Sequence, residues 1–335
     1  LKSFKWAIPF SIGTIATIIF VEIFFQLAEV ELPYHELSPT LGKSLQPSKR
    51  IMMLKDGFYM GRVNRYGYIG PAYPRERAPD TYRIALIGDS YTEGFHVFER
   101  YHFRSVLEHE LNKHTDLKVE VLNFGMGGFN LQDMYVYQTN FARAFAPDLV
   151  ILTAQIQDFG HRTNFVPGPR PQLRGEMLTL NYDFTHEPTF SAYAANKYFV
   201  DHSAYLKLMN NAYKLASRGD APSILFDKLY TKHDGEPSES ASENWDRPIN
   251  RAILTALRKD NVMLVLNGSF PRSFLEHVRQ AGFPVLELDP IMVALRRQGV
   301  EPRYWKATGR MGHWNHEGQF AVGTAMASTV RRHFF

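Results

Sequence analysis

Gly88-Asp89-Ser90 closes the apolar run Ile84–Ile87, and an amphipathic stretch follows. A buried strand that stops at glycine and passes into a helix through serine sets that hydroxyl at the strand's carboxyl end. That edge is where open α/β sheets bind ligands. The hydroxyl also lies beside the unpaired N–H groups and positive dipole end of the helix. Ser90 is therefore a candidate nucleophile, and it needs a base. Among 13 histidines, His313 is the candidate, because it sits in Gly312-His313-Trp314-Asn315-His316-Glu317-Gly318, just before a last helical stretch. Asn123-Phe124-Gly125-Met126-Gly127-Gly128 follows a second apolar run. Its three glycines let the backbone approach a ligand closely, with N–H groups free to bind an oxyanion. Gln157-Asp158 follows a third run and offers a side-chain amide to the same oxyanion.

These residues need a scaffold that brings four distant segments to one edge. Alternating apolar runs predict strands at Tyr82–Ile87, Lys118–Asn123, Leu149–Thr153, Val262–Asn267 and Pro284–Leu288. Amphipathic stretches predict helices at Phe98–Leu111, Leu131–Ala144, Asn244–Lys259, Arg272–Ala281 and Glu317–Arg332. Strands interleaved with helices imply a parallel sheet covered on both faces. Between the third and fourth strands lies an insert, at about 160–243, far longer than an ordinary loop. It holds a Pro/Gly-rich piece (Val166–Gly175), an expected helix (Tyr193–Leu215) and an acidic, Ser-rich stretch (His233–Asn244).

Upstream, Trp6–Ala28 is nearly uniformly apolar, with Glu22 its only ionisable group. It is long enough to cross a bilayer and too long for the core of a signal peptide. Lys2 and Lys5 precede it, and Glu29 and Glu31 follow it. The positive-inside rule then places the N-terminus in the cytoplasm and the rest on the far side, the periplasm of a bacterium. A carboxylate in hydrocarbon is costly, so Glu22 either snorkels or meets a polar partner on a neighbouring membrane helix. The expected organisation is an anchor over 1–30, an irregular basic connector over 31–80 and an α/β domain over 81–335. Between Gly42 and Arg83 the connector carries nine Lys/Arg against three Asp/Glu. The chain has no cysteine, which removes disulfides and thiolate metal sites. No nucleic-acid motif is present. His313-x-x-His316 lacks a third ligand at diagnostic spacing, so no metal and no cofactor are expected. The glycines at 125–128 follow the second strand and lack nucleotide-fold spacing.

In these four blocks the chain resembles the SGNH (GDSL-type) hydrolases, closest to bacterial members with an N-terminal anchor. Gly88-Asp89-Ser90 matches the nucleophile block and Asn123–Gly128 the glycine block. Gln157-Asp158 stands where the family has Asn-Asp, and His313-Trp314-Asn315 with Glu317-Gly318 matches the histidine block. Asn64-Arg65-Tyr66-Gly67 resembles a segment often found upstream. The resemblance implies a flavodoxin-like three-layer α/β/α sandwich with a five-stranded parallel sheet. It implies Ser90 as nucleophile and His313 as base, with an oxyanion hole from the Ser90 and Gly128 N–H groups and the side chain of Gln157. Asp89, Asn123, Asp158 and Asn315 would support the site. The family's substrates are acyl and acetyl esters, and some members transfer acyl groups in membrane assemblies.

Two departures stand out. The family's aspartate before the histidine is missing, since Arg310 and Met311 occupy those positions. A backbone carbonyl or a distant acid such as Asp289 would have to replace it. Gln157 also replaces asparagine. One reading is thus a membrane-anchored periplasmic esterase or O-acyltransferase with a Ser90–His313 dyad. The other is a catalytically degenerate structural subunit of an integral-membrane complex, with Glu22 contacting partner helices.

Overall fold

The computed structural model describes residues 4–28, 34–53, 56–160, 167–186, 188–203, 205–206, 209 and 244–335. It divides into two compact units, Leu1–Tyr34 with His186–Glu236, and His35–Thr185 with Pro237–Phe335.

In the first unit, helix α1 covers Phe4–Ala28 and helix α5 covers Pro188–His202. The side chains described along α1 run from Pro9 to Phe24, with Leu27 beyond, and most are exposed. Among the described residues no helix is long and apolar enough to cross a membrane, so the expected span over Trp6–Ala28 gains no support there. Glu22 finds partners within the chain. Its Oε2 accepts from the Ser203 hydroxyl at 2.9 Å and from the Tyr205 N–H at 2.9 Å. Of the expected insert, the acidic Ser-rich stretch and the later part of its helix lie outside the described residues.

The second unit begins with two hairpins, β1 (His35–Ser38) with β2 (Gly42–Leu45), and β3 (Arg50–Met53) with β4 (Tyr59–Arg62). The connector, expected as irregular chain with a short strand pair near Phe58–Tyr68, carries both hairpins among its described residues, with Leu45, Ile51, Tyr59 and Val63 buried. Short apolar pieces separated by Pro and Gly concealed the earlier strands. The sandwich follows as β5 (Thr81–Gly88), the single turn α2 (Ser90–Glu93), α3 (Phe103–Asn112), β6 (Lys118–Asn123), α4 (Leu131–Asn140) and β7 (Leu149–Ala154). A hairpin of β8 (Arg170–Arg174) and β9 (Met177–Asn181) opens the insert. The chain returns with α6 (Pro248–Leu257), β10 (Val262–Leu266), α7 (Arg272–Gln280), β11 (Val285–Glu287) and α8 (Asp289–Arg297). A two-residue pair, β12 (Tyr304–Trp305) and β13 (Arg310–Met311), leads to α9 (His316–Phe334). Helix α8 was not foreseen, although Pro290 in its first turn and the basic residues of its last turn are ordinary helix-end signals.

The sheet order is β11-β10-β7-β5-β6, all parallel. Counted along the chain this is 2-1-3-4-5, the flavodoxin-like winding, with its switch point between β5 and β7. Leu86 pairs with Asn123, and Gly88 pairs with Thr153. Hence Ser90, the glycine block and the turn after β7 all leave the sheet from one edge. On one face, Ile84, Leu86, Val119, Val121 and Ile151 pack against Phe103 and Leu107 of α3, Met292 of α8, and Val322 and Met326 of α9.

One charge pair sits inside this framework. Arg83 of β5 is fully buried, and its Nε and Nη2 donate to Glu120 Oε2 of β6 at 3.1 and 2.6 Å. Its Nη1 donates to the carbonyls of Phe145 and Arg75 at 2.8 and 3.1 Å. Removing one member of such a pair strands the other's charge, at a cost of about 3–5 kcal/mol. Glu120→Ala should lower the unfolding free energy by that amount in urea denaturation. The paired change Arg83→Met with Glu120→Leu should cost less than the single substitution.

Candidate active site

Asp89 turns the chain from β5 into α2. Its Oδ1 accepts the Tyr91 N–H at 2.9 Å, and its Oδ2 accepts Gln155 Nε2 at 2.6 Å. Helix α2 is one turn long and ends at Gly94, whose φ of 78° is left-handed. So short a helix leaves most of its carbonyls to partners from outside, although the Ser90 carbonyl also accepts the Gly94 N–H at 3.2 Å. Three side chains meet them. His96 Nε2 lies 3.2 Å from the Ser90 oxygen, His102 Nε2 lies 3.4 Å from the Tyr91 oxygen, and Asn123 Nδ2 donates to the Thr92 oxygen at 2.7 Å. Asn123 Oδ1 also accepts the Gly125 N–H, which ties the glycine block to the nucleophile turn.

His313 is carried by the chain between β13 and α9. Arg303 Nε donates to the Gly312 oxygen at 2.7 Å, and Trp305 Nε1 donates to the His313 oxygen at 2.9 Å. Asn315 caps α9 through the Gly318 N–H and donates to the carbonyls of Glu301 and Tyr304. The imidazole Nε2 stands 2.8 Å from Ser90 Oγ. Its Nδ1 stands 2.6 Å from Oδ2 of Asp56, which also accepts the His313 backbone N–H at 3.1 Å. Asp56 is ionised here, so Nδ1 must carry the proton. The neutral ring therefore offers its Nε2 lone pair to the serine hydroxyl.

Asp56 overturns the expectation of a Ser90–His313 dyad. The acid comes from the turn between β3 and β4, not from the residues before His313. Arg310 and Met311 are exposed on β13. Asp289, the other acid considered, accepts the Ser269 hydroxyl at 2.8 Å. The backbone of Asp56 is left-handed, with φ 58°, which Asp tolerates better than most residues. Two glycines permit the approach. A Cβ on Gly312 would lie 2.5 Å from Asp56 Cγ, and one on Gly57 would lie 2.2 Å from the Trp305 ring. Burial pushes the Asp56 carboxyl up, but the two hydrogen bonds and the charge from His313 outweigh it and hold the group at about 2. The only sequence signal was Asp56-Gly57 as a turn dipeptide between apolar runs. No spacing rule links it to His313.

The oxyanion side is partly as expected. Gly128 has φ 82°, and among the described residues neither its N–H nor that of Ser90 has a protein acceptor. The preceding carbonyl, Gly127 O, accepts Lys43 Nζ at 2.8 Å. Buried Glu93 lies beneath this loop, 3.5 Å from His35 Nε2. Gln157 is exposed in the 3-10 turn Ile156–Phe159, and it is Gln155 whose amide crosses to Asp89. Asp158 caps this turn by accepting the Gln155 N–H at 2.7 Å. Burial pushes the carboxyls of Asp89 and Asp158 up; the charge of Asp89 raises Asp158 further, and that of Glu93 raises Asp89.

Asp56, His96 and His313 also bring ligand-type atoms within 4.8 Å of one another. The two imidazoles are stacked, with centroids 3.8 Å apart and planes 14° apart. Imidazole binds a metal along a lone pair in the ring plane, and here those directions run side by side instead of converging. The arrangement suits a triad better than a chelate. His316 packs its ring against Tyr101 and Trp305, away from this cluster.

No protein-family model and no curated protein matches the sequence. The solved structures to which the chain is similar include lipolytic proteins and esterases. A lipase/acylhydrolase from Enterococcus faecalis shares 11% identity at TM-score 0.40, over 75% of this chain and 96% of that one. A family 3 carbohydrate esterase from Clostridium thermocellum shares 14% at TM-score 0.37, over 75% and 96%. An acetyl xylan esterase shares 16% at TM-score 0.32, over 74% and 99%.

Loss of the orienting acid in a serine triad costs about 10⁴-fold in kcat. Asp56→Asn should reduce Ser90-dependent turnover by roughly 10³–10⁴-fold, read as kcat on an activated ester. Gly312→Ala should act in the same direction by displacing the carboxylate, whereas Met311→Asp should change kcat little because Nδ1 is already engaged. Asp56 also predicts a pH dependence of stability. Its folded pKa lies below that of an unfolded aspartate, so its contribution is complete above about pH 4. That contribution is lost as pH falls toward 2. Urea midpoints of wild type and Asp56→Asn should differ at pH 6 and converge over that interval.

Proposed function

We propose that this chain is a serine ester hydrolase of the SGNH type, working through Ser90, His313 and Asp56. The observation that carries the reading is the unbroken line from Ser90 Oγ to His313 Nε2 at 2.8 Å and from Nδ1 to Asp56 at 2.6 Å. Ser90 Oγ attacks the ester carbonyl while Nε2 takes its proton, and the imidazolium is paired with Asp56. The carbonyl oxygen becomes an oxyanion facing the N–H groups of Ser90 and Gly128. The intermediate collapses, His313 returns the proton to the departing alcohol, and the acyl group stays on Ser90. Water, deprotonated by His313, then releases the acid. An acceptor alcohol in place of that water would make the same site an O-acyltransferase. Gln157 is not needed in this scheme.

The substrate class is an acyl or acetyl ester. The apolar segment Trp6–Ala28, with Lys2 and Lys5 before it, supports a single-pass anchor in a bacterial inner membrane with the catalytic unit periplasmic. The degenerate-subunit alternative drew on a histidine without an acid, on Gln157 and on Glu22. Asp56 supports the hydrolase over it by supplying the acid, and Ser203 and Tyr205 give Glu22 partners within this chain.

The test uses the full chain in mild detergent. A fluorophosphonate should label wild type and not Ser90→Ala, and short-chain esters should be hydrolysed only by the former. Hydrolysis unchanged in Ser90→Ala would exclude this mechanism. Protease added to sealed inner-membrane vesicles should spare the residues beyond 30. Their digestion from the cytoplasmic side would reverse the topology.

A further inference from the structure

We infer that His96 is a positioning residue of the triad, holding the Ser90 turn, the His313 ring and the Asp56 carboxylate in one line while transferring no proton itself. The inference rests on the ester-hydrolase reading and concerns how that site is kept in register. His96 is buried and meets all three members at once. Its Nε2 faces the Ser90 carbonyl at 3.2 Å, its ring lies on the His313 ring, and its Nδ1 stands 3.7 Å from Asp56 Oδ2.

The chemistry of each contact fixes the next. A backbone carbonyl can only accept, so Nε2 carries a proton and donates it. In the neutral ring Nδ1 is then an unprotonated acceptor. It is buried and has no hydrogen-bond partner. It faces a carboxylate, another acceptor, so the two repel and Asp56 is left to His313. A protonated His96 would instead donate to Asp56 and compete for it. The surroundings oppose that state. Burial and the neighbouring His313 bring His96 down to about 4, although Asp56, Glu93 and the Ser90 carbonyl pull the other way. The adjacent His102 is buried as well and held down to about 3. The neutral face of His96 also lies parallel to the ring that becomes cationic during attack, which favours the imidazolium. Stacking on one side, with Tyr91 at 4.5 Å as a second ring neighbour, leaves His313 little freedom to turn away from Ser90.

Two variants separate these roles. His96→Phe keeps an aromatic face and removes both nitrogens, whereas His96→Gln keeps an amide donor for the Ser90 carbonyl and removes the ring. A misplacement near 1 Å costs on the order of 10²-fold. His96→Phe should therefore lose about 30–100-fold in kcat on an acetyl ester with KM within about threefold, and His96→Gln should recover about tenfold of it. The second readout needs no turnover. In full-length protein with ¹⁵N-labelled histidine, the low-field His313 Nδ1–H resonance should be sharp in wild type at pH 7. It should be broadened or lost in His96→Phe. A resonance unchanged in His96→Phe overturns the inference, whether or not kcat falls, because any loss would then come from elsewhere in the fold. Unchanged kcat overturns it as well. Should wild type show no Ser90-dependent turnover, the hydrolase reading fails and the resonance alone decides the role of His96. If His96→Phe does not fold by circular dichroism, His96→Gln carries the same two readouts.

Discussion

The hydrogen bond between Asp56 and His313 is the constraint on which the candidate site depends. It spans 257 positions of sequence and joins a turn outside the sandwich to the segment that enters the last helix. Everything near it is arranged to let the carboxylate in. Gly312 has no Cβ where Asp56 must lie, Gly57 gives way to Trp305, and Asp56 adopts a left-handed backbone. In return the bond fixes the proton on Nδ1 and so directs the other nitrogen at Ser90. Without it, nothing holds the proton on Nδ1, and the ring can turn a protonated Nε2 toward Ser90.

The sandwich does the slower work of placing Ser90. A parallel sheet with order 2-1-3-4-5 brings the ends of β5, β6 and β7 to one edge. The single turn α2 satisfies only the Ser90 carbonyl, through Gly94, and His96, His102 and Asn123 meet its carbonyls from outside. The nucleophile turn is thus held from outside by residues on three different segments. Asp89 and Gln155 add a fourth tie, from β5 to the turn after β7.

The sheet was legible because its strands are apolar runs of ordinary length at regular intervals. All five were found within a residue or two, and Lys118–Asn123 matches to the residue. Ser90 and His313 were legible because each stands at a boundary between elements. Asn123, Asp89, Asp158 and Asn315 were legible as members of blocks, and each serves as a cap or tie. Asp56 was not, because a triad is defined by distance and the chain between 31 and 80 offered no periodicity from which to compute one. The same holds for His96 and Lys43, whose roles arise only from packing. Gln157 misled in the opposite way: its place in a block suggested a donor, but the amide that reaches across the site is two residues earlier.

The separation of the acid from the histidine also orders events during synthesis. Asp56 and Ser90 leave the ribosome well before His313. A chain shortened before α9 keeps its sheet strands and its nucleophile yet has nothing to activate that nucleophile. Chemistry therefore begins only when the ends of the sandwich unit have met. That is the kind of distant pairing expected to form late in folding. A serine so governed stays inert in the partly folded chain, where an activated hydroxyl would have no bound substrate to select what it acylates.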